Sequence, residues 1–174
     1  MLRVLTAAVL AAGGVPAAVR AQAPSAAAPR LAAAEGVDYL IGRWVGSAED
    51  PGTGERLTID YRVEPHPGGA WLSGSGLSRD GSLKSRDVWG RDPLTGEILR
   101  LVFDSSGAFG VVRSPGWQGD RLVLEGDVRS KGGIVRVRES ITRLGPNRFR
   151  ATWEAQRGGA WVVYSIEELT RQTT

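Results

Sequence analysis

The segment with the most suggestive chemistry is residues 135–143, where an acidic residue interrupts an apolar alternation. Val135, Val137 and Ile141 would share one face of a strand with Glu139, because alternate residues of a strand point to the same side. If that face is buried, the Glu139 carboxylate needs a partner and would be a ligand-binding residue. Because glutamate is rarely fully buried, we favour a β-bulge that turns Glu139 outward.

A buried Glu139 would also be the best candidate for acid–base catalysis. Burial in an apolar interior raises the pKa of a carboxyl group, which suits a general acid or base near neutral pH. With an interior arginine or tyrosine, this residue would support an isomerase or a hydrolase. The face on which Glu139 lies therefore separates an enzyme from a protein without catalytic residues.

The other reactive residue types do not form a catalytic or metal-binding pattern. The one histidine, His66, stands between Pro65 and Pro67, which indicates an exposed loop. The chain has no cysteine, so a thiol nucleophile, a thiolate metal site and an iron–sulfur cluster are excluded. No G-x-S-x-G elbow is present, and the aspartates lack calcium-loop spacing. We therefore expect no catalytic residue, no metal and no cofactor.

Nine turn segments cut residues 43–170 into ten short runs that are typical of strands. Residues 56–63, 121–129 and 148–155 alternate apolar and polar side chains, which predicts antiparallel strands with one buried face. The connections are too short for crossover helices, and closing the sheet removes its two edges. The sequence predicts an all-β, ten-stranded antiparallel up-and-down barrel preceded by a short helical turn. A flattened β-sandwich also fits the pattern.

Aromatic residues supply candidates for the wall of a cavity in such a barrel. The chain has six tryptophans, and aromatic side chains commonly line ligand pockets as well as fill cores. Trp117 follows a Pro-Gly turn and is expected at the barrel mouth. For Trp89 and Trp153, wall lining and full burial both remain open. The predicted ligand-binding residues are Tyr61, Trp71, Trp89, Phe103, Glu139 and Trp153.

The first 23 residues have the features of a secretory signal peptide. Arg3 precedes an apolar stretch of ~16 residues, shorter than the ~20 needed to span a bilayer, and Ala21-Gln22-Ala23 fits a cleavage site. We expect cleavage after Ala23, a flexible linker at 24–36, a barrel domain at 37–172, and a periplasmic or secreted protein without a membrane span.

Cleavage also changes what the charge implies about partners. Losing Arg3 and Arg20 leaves 20 of the 22 basic residues against 19 acidic ones. Such a balanced charge argues against nucleic-acid binding. We expect a monomer whose partner is a small hydrophobic or amphipathic ligand.

A set of ordered motifs gives the chain a resemblance to a known group. Gly42-x-Trp44-x-Gly46, after a short helical turn, resembles the G-x-W signature of calycin-like barrels, which include lipocalins, fatty-acid-binding proteins and nitrobindins. Over residues 38–172 the chain is similar to a bacterial family with a lipocalin-like domain. The matching segments are Gly69-x-Trp71-Leu72, Val88-Trp89-Gly90-x-Asp92-Pro93-Leu94-Thr95-Gly96, Phe103-Asp104-Ser105-x-Gly107, Gly158-Gly159-Ala160-Trp161 and Leu169-Thr170-Arg171.

This resemblance implies a fold but no activity. In such barrels the tryptophan of G-x-W closes the base, so Trp44 is expected there. Nitrobindin-like barrels bind haem through a histidine in their C-terminal half, and no histidine follows His66 here. The favoured function is non-covalent binding of a small apolar or amphipathic ligand. The alternatives are a barrel enzyme using Glu139 and a packed envelope interaction module without a ligand.

Overall fold

The computed structural model describes residues 36–173. The predicted signal peptide lies outside the described residues, as does the linker except for its last residue. A 3-10 turn at Asp38–Leu40 precedes eleven strands. The strands are β1 (Gly42–Glu49), β2 (Arg56–Pro65), β3 (Leu72–Ser78), β4 (Lys84–Arg91), β5 (Ile98–Asp104), β6 (Phe109–Ser114), β7 (Trp117–Gln118), β8 (Arg121–Ser130), β9 (Gly133–Arg143), β10 (Arg148–Arg157) and β11 (Ala160–Arg171).

The sheet is antiparallel throughout and closes on itself. Consecutive strands from β1 through β6 pair with one another, and so do consecutive strands from β8 through β11. β1 also pairs with β11, and β6 pairs with β8. The two-residue β7 pairs with β8 alone and stays outside this ring. The predicted ten-stranded barrel with a short N-terminal turn is therefore confirmed. Within residues 36–173, no helix has the length and apolar character needed to cross a membrane.

Local turn chemistry explains why the chain reverses where it does. Asp50, Asp92 and Asp104 each lie at the end of a strand or directly after it, and each accepts a hydrogen bond from the backbone N–H two residues later, at 2.7–2.9 Å. Two of these turns end at Gly54 and Gly96, whose φ angles are 73° and 74°, a region that glycine enters without strain. These short turns make sequential antiparallel pairing the only close connection.

The barrel has a closed base and an open mouth. The chain enters at the base through the 3-10 turn, and Trp44 at the start of β1 is fully buried there. Its indole N–H donates to the carbonyl of Leu40 at 2.7 Å, and the Arg171 guanidinium lies 4.0 Å from its ring centroid. Trp44 thus closes the base, as the G-x-W resemblance implies.

Trp117 lies at this closed base, so its predicted position at the mouth is wrong. Its indole N–H donates to the carbonyl of Gly36, and its ring stands edge-on to Tyr39 with centroids 6.0 Å apart. The Arg143 guanidinium lies 3.6 Å from the Trp117 ring centroid. The turn residues before Trp117 indicated exposure, but contact with the 3-10 turn and with Arg143 draws the ring inward.

Candidate functional site

The barrel encloses a cavity of about 310 Å³ that extends from the base toward the mouth. Much of its wall is apolar and includes Leu40, Ile59, Val102, Ile141, Phe149 and Leu169. Half-exposed Leu77, Phe103 and Phe109 also lie among the lining residues. Polar side chains from five strands interrupt this wall, and the candidate site is the cluster that they form.

The first part of the cluster is a hydrogen-bonded chain on β2 and β4. The indole N–H of Trp89 donates to the Tyr61 hydroxyl at 3.0 Å. That hydroxyl donates to the Asp87 carboxylate at 2.9 Å. Burial raises the pKa of Tyr61 well above its usual value, and the nearby Asp87 charge raises it further. Tyr61 therefore remains a neutral donor that fixes the orientation of Asp87.

A glycine provides the space that the Asp87 carboxylate occupies. Gly74 on β3 is paired with Asp87 on β4, and a β-carbon on Gly74 would lie 1.6 Å from Asp87 Oδ1 and 2.8 Å from the Tyr61 oxygen. Any larger residue would collide with both groups. The small residue on β3 is thus a requirement of the polar cluster.

Arg100 on β5 joins two carboxylates across the interior. Its Nη2 lies 2.6 Å from Asp87 Oδ2, and its Nη1 forms an ion pair with Glu139 on β9. Its guanidinium carbon lies 4.7 Å from the Trp89 ring centroid and 5.2 Å from that of Trp153. Burial alone would lower the pKa of Arg100, but Glu139 and Asp87 together raise it. The guanidinium is therefore charged and held by both carboxylates.

Glu139 points into the barrel, so the favoured outward orientation is wrong. Its relative exposure is 2%, and β9 keeps a continuous register with both β8 and β10, without a bulge. The interior arginine satisfies one carboxylate oxygen and makes burial tolerable. The other oxygen, Oε2, is buried without a hydrogen-bond partner among residues 36–173. Burial raises the pKa of Glu139, and Arg100 opposes that change.

β11 adds a third interior carboxylate, Glu167, and an irregularity in its pairing with β10. The register with β10 shifts between Trp153 and Glu154, which leaves Tyr164 as an extra residue. Both Tyr164 and Glu167 line the cavity. Burial, together with the nearby Glu139 charge, raises the pKa of Glu167 to about 7. Glu167 can therefore change its charge near neutral pH.

The raised pKa of Glu167 predicts how stability depends on pH. The folded chain holds this proton up to a pH of about 7, whereas the unfolded chain releases it near 4.5. The free energy of unfolding should therefore fall as pH rises from about 4.5 to about 7. Glu139 contributes a change of the same sign. Urea unfolding across this pH range should show a smaller decline in the free energy of unfolding for Glu167→Gln than for the unaltered protein.

The neighbouring Glu168 provides a matched control for this measurement. Arg148 and Arg150 lower the pKa of Glu168 through hydrogen bonds. Glu168 therefore changes the free energy of unfolding only as pH falls below the usual pKa range of a carboxyl group. Glu168→Gln should leave the decline between about 4.5 and 7 unchanged. An equal flattening in both variants would contradict the assignment of the decline to Glu167.

Five of the six residues predicted to bind a ligand line the cavity. They are Tyr61, Trp89, Phe103, Glu139 and Trp153. Trp89 and Trp153 are both buried and both line the cavity. Wall lining and burial, which the sequence left open as alternatives, therefore hold together for these two residues. Trp71 lies apart: it precedes β3 in the turn at the base, where its ring packs against Gly90.

Three polar residues of the cluster did not emerge from the sequence. Asp87, Arg100 and Glu167 were missed because their partners lie on other strands. The available signal for Arg100 was its place between Ile98 and Val102 on the inward face of a largely apolar strand. Among residues 36–173 no group of three acidic or histidine side chains is arranged to hold a metal ion. His66 lies in an exposed turn, where Nδ1 is 2.8 Å from Ser73 Oγ.

Comparisons with known proteins give limited similarity. No family model matches the chain. It is 35% identical over 88 residues to Mei4-dependent protein 1 of Schizosaccharomyces pombe, covering 44% of this chain and 41% of that protein. The chain thus spans about two fifths of that relative's length.

Similar solved structures are β-barrels of low sequence identity. A de novo designed fluorescence-activating barrel is 16% identical with a TM-score of 0.43, covering 78% of this chain and 95% of that one. The barrel EF1p2_mFAP2b bound to DFHBI is 15% identical with a TM-score of 0.41, and the match covers 79% of this chain and 97% of that one.

Proposed function

We propose that the protein binds a small amphipathic molecule non-covalently in the barrel cavity. The observation that carries this proposal is an apolar-walled cavity of about 310 Å³ with a fixed polar cluster on its wall. Ligand pockets are commonly apolar, with a few convergent polar groups and volumes of roughly 300–1,000 Å³. The cavity lies at the small end of that range, which favours a compact ligand.

The arrangement gives the two parts of an amphipathic ligand different surroundings. Ile141, Phe149 and Leu169 offer an apolar surface toward the closed base. Glu139 and Glu167 add polar groups to the same cavity. The rings of Trp89 and Trp153 flank the Arg100 guanidinium and hold it in place. A site fixed before binding loses little entropy on ligand association.

Ligand binding is tested by filling the cavity from its wall. Ala151 on β10 is buried and lines the cavity, so Ala151→Phe would add a ring inside it. We expect tryptophan fluorescence titrations with small amphipathic compounds, and solvent extracts of the protein from its native host, to reveal a ligand. Ala151→Phe should abolish binding while circular dichroism shows a folded barrel.

Thr152 on the same strand is the matched control for this substitution. It does not line the cavity in the part of the chain that the structure describes. Thr152→Phe should therefore bind as the unaltered protein does. No fluorescence change with any compound and no extractable ligand would overturn the proposal and favour a module that acts through its surface.

Export and kinship with calycin-like barrels belong to the same proposal. The signal-peptide pattern at residues 1–23 supports a periplasmic or secreted protein. The burial of Trp44 at the base supports the kinship. Mass spectrometry of protein from the native host should give an N-terminus at Pro24 in the exported fraction. A full-length chain confined to the cell interior would contradict export.

A second candidate function is acid–base catalysis inside the barrel. It is favoured by one observation, the inward orientation of Glu139 in the same cavity as Glu167. The pKa of Glu167, raised by burial to about 7, suits a general base at neutral pH. An enzyme of this kind would convert the extracted ligand when it is incubated with the protein, and Glu167→Gln would stop the conversion.

A further inference from the structure

The lining of the cavity carries more acidic than basic groups. Glu139, Glu167 and Asp104 contribute carboxylates to the lining, and Asp87 lies directly behind it. Arg100 is the one basic side chain that lines this cavity within residues 36–173. An interior with this balance attracts positive charge, and it does so strongly because the apolar wall screens charges poorly.

Arg100 is poorly placed to bind an anionic ligand. Its guanidinium already pairs with Asp87 and Glu139, and both of these carboxylates are 2% exposed. An incoming carboxylate or phosphate would have to displace one of them and leave it buried without its partner. Leaving a buried charge unpaired is strongly destabilising, so the cluster selects against anions.

Glu139, which lines the cavity, keeps one acceptor oxygen that no described residue uses. The donors in the chain from Trp89 through Tyr61 to Asp87 are all used within the cluster. Arg100 also bonds Glu139 Oε1, whereas Oε2 is buried without a partner among the described residues. An unsatisfied buried acceptor favours a ligand that brings a donor. The polar cluster is thus complementary to a hydrogen-bond donor.

We infer that the ligand carries a protonated amine, which binds between Glu139 and Glu167 and places its apolar part along the wall. This inference rests on the proposed ligand-binding function and names the chemical class of ligand. The rings of Trp153 and Tyr164, with centroids 6.4 Å apart, lie in the same lining. Their faces would add cation–π attraction to the ammonium group.

Three probes with the same chain and different head groups test this inference. Octylamine, octanol and octanoate are titrated into the protein at neutral pH, with binding measured by calorimetry and tryptophan fluorescence. We expect octylamine to bind at least about tenfold more tightly than octanoate. The ammonium group of octylamine gains a charge-assisted hydrogen bond, whereas the carboxylate of octanoate disturbs a buried ion pair. Octanol should lie between them.

Charge-removing substitutions locate the selectivity. Glu139→Gln keeps the shape of the side chain and should reduce the preference for octylamine over octanol by about tenfold. Glu154→Gln is the matched control, because Glu154 also pairs with an arginine, Arg138, but outside the cavity. It should leave the preference unchanged. Glu167→Gln provides a second interior test if Glu139→Gln does not fold.

The pH dependence of amine binding provides an independent test of the inference. Glu139, Arg100 and Asp87 influence the titration of Glu167, and Tyr164 stays neutral because burial raises its pKa. Octylamine affinity should rise as pH increases through about 7, where Glu167 ionises. Glu167→Gln should remove this rise. The amine itself remains protonated over this range.

The outcomes separate this inference from the proposed function. Equal or tighter binding of octanoate would overturn the amine assignment while leaving a ligand-binding barrel. A preference for octylamine that survives both Glu139→Gln and Glu167→Gln would also overturn it. If none of the three probes binds and no other compound changes the fluorescence, the ligand-binding function itself fails.

Discussion

We expect the Arg100→Met variant to lose about 3–5 kcal/mol of unfolding free energy at neutral pH. The substitution leaves Asp87 and Glu139, each 2% exposed, as two carboxylates facing the interior without their cation. Methionine fills much of the volume but cannot offset either charge. Urea unfolding monitored by circular dichroism measures this loss directly.

The dependence on pH distinguishes lost charge pairing from lost packing. In Arg100→Met burial raises the pKa of Glu139 further, because the guanidinium that opposes this change is gone. The loss of unfolding free energy relative to the unaltered protein should therefore shrink as pH falls and Glu139 takes up a proton. A deficit that does not change with pH would show that packing alone is responsible.

Arg138→Met is the matched control for the buried arginine. Arg138 makes a two-pronged ion pair with Glu154, with nitrogen–oxygen distances of 2.7 and 2.8 Å, and this pair is only partly buried. Ion pairs in contact with solvent contribute about 1 kcal/mol or less. An equal loss in Arg138→Met and Arg100→Met would contradict a special role for the interior cluster.

The fold was predictable because its determinants are local in the sequence. Each turn combines residue types such as Asp50 and Gly54 within a few positions, and the alternation in β2 and β10 identifies the buried face without knowledge of neighbouring strands. Short connections then leave sequential pairing as the only arrangement. Closure follows because an open sheet would keep two exposed edges.

The polar cluster was only partly predictable because its contacts are distant in sequence. Arg100 lies 13 residues from Asp87 and 39 from Glu139, and β5 and β9 are not neighbours in the sheet. The alternation in residues 135–143 indicated an inward Glu139, yet the general rarity of buried glutamate favoured the opposite. The deciding information was the arginine across the barrel, which no local pattern shows.

The second large effect is expected at the base of the barrel, where Trp44→Ala should cost about 3–5 kcal/mol of unfolding free energy. Trp44 is fully buried, with its ring edge-on to Phe149 at a centroid distance of 4.8 Å. Alanine would remove these contacts together with the hydrogen bond to Leu40 and the stacking with Arg171. Urea unfolding measures the loss.

The same substitution should also open the cavity from below, which a merely destabilised barrel would not show. Acrylamide should quench the remaining tryptophans of Trp44→Ala more strongly than those of the unaltered protein, under conditions where circular dichroism shows a folded barrel.

Trp161→Ala is the matched control, because Trp161 also stacks with an arginine, Arg138 at 4.5 Å, but is only partly buried. Because its ring remains in contact with solvent, its removal should cost about 1 kcal/mol and leave quenching of the interior tryptophans unchanged. Equal losses and equal quenching in the two variants would mean that Trp44 does not close the barrel.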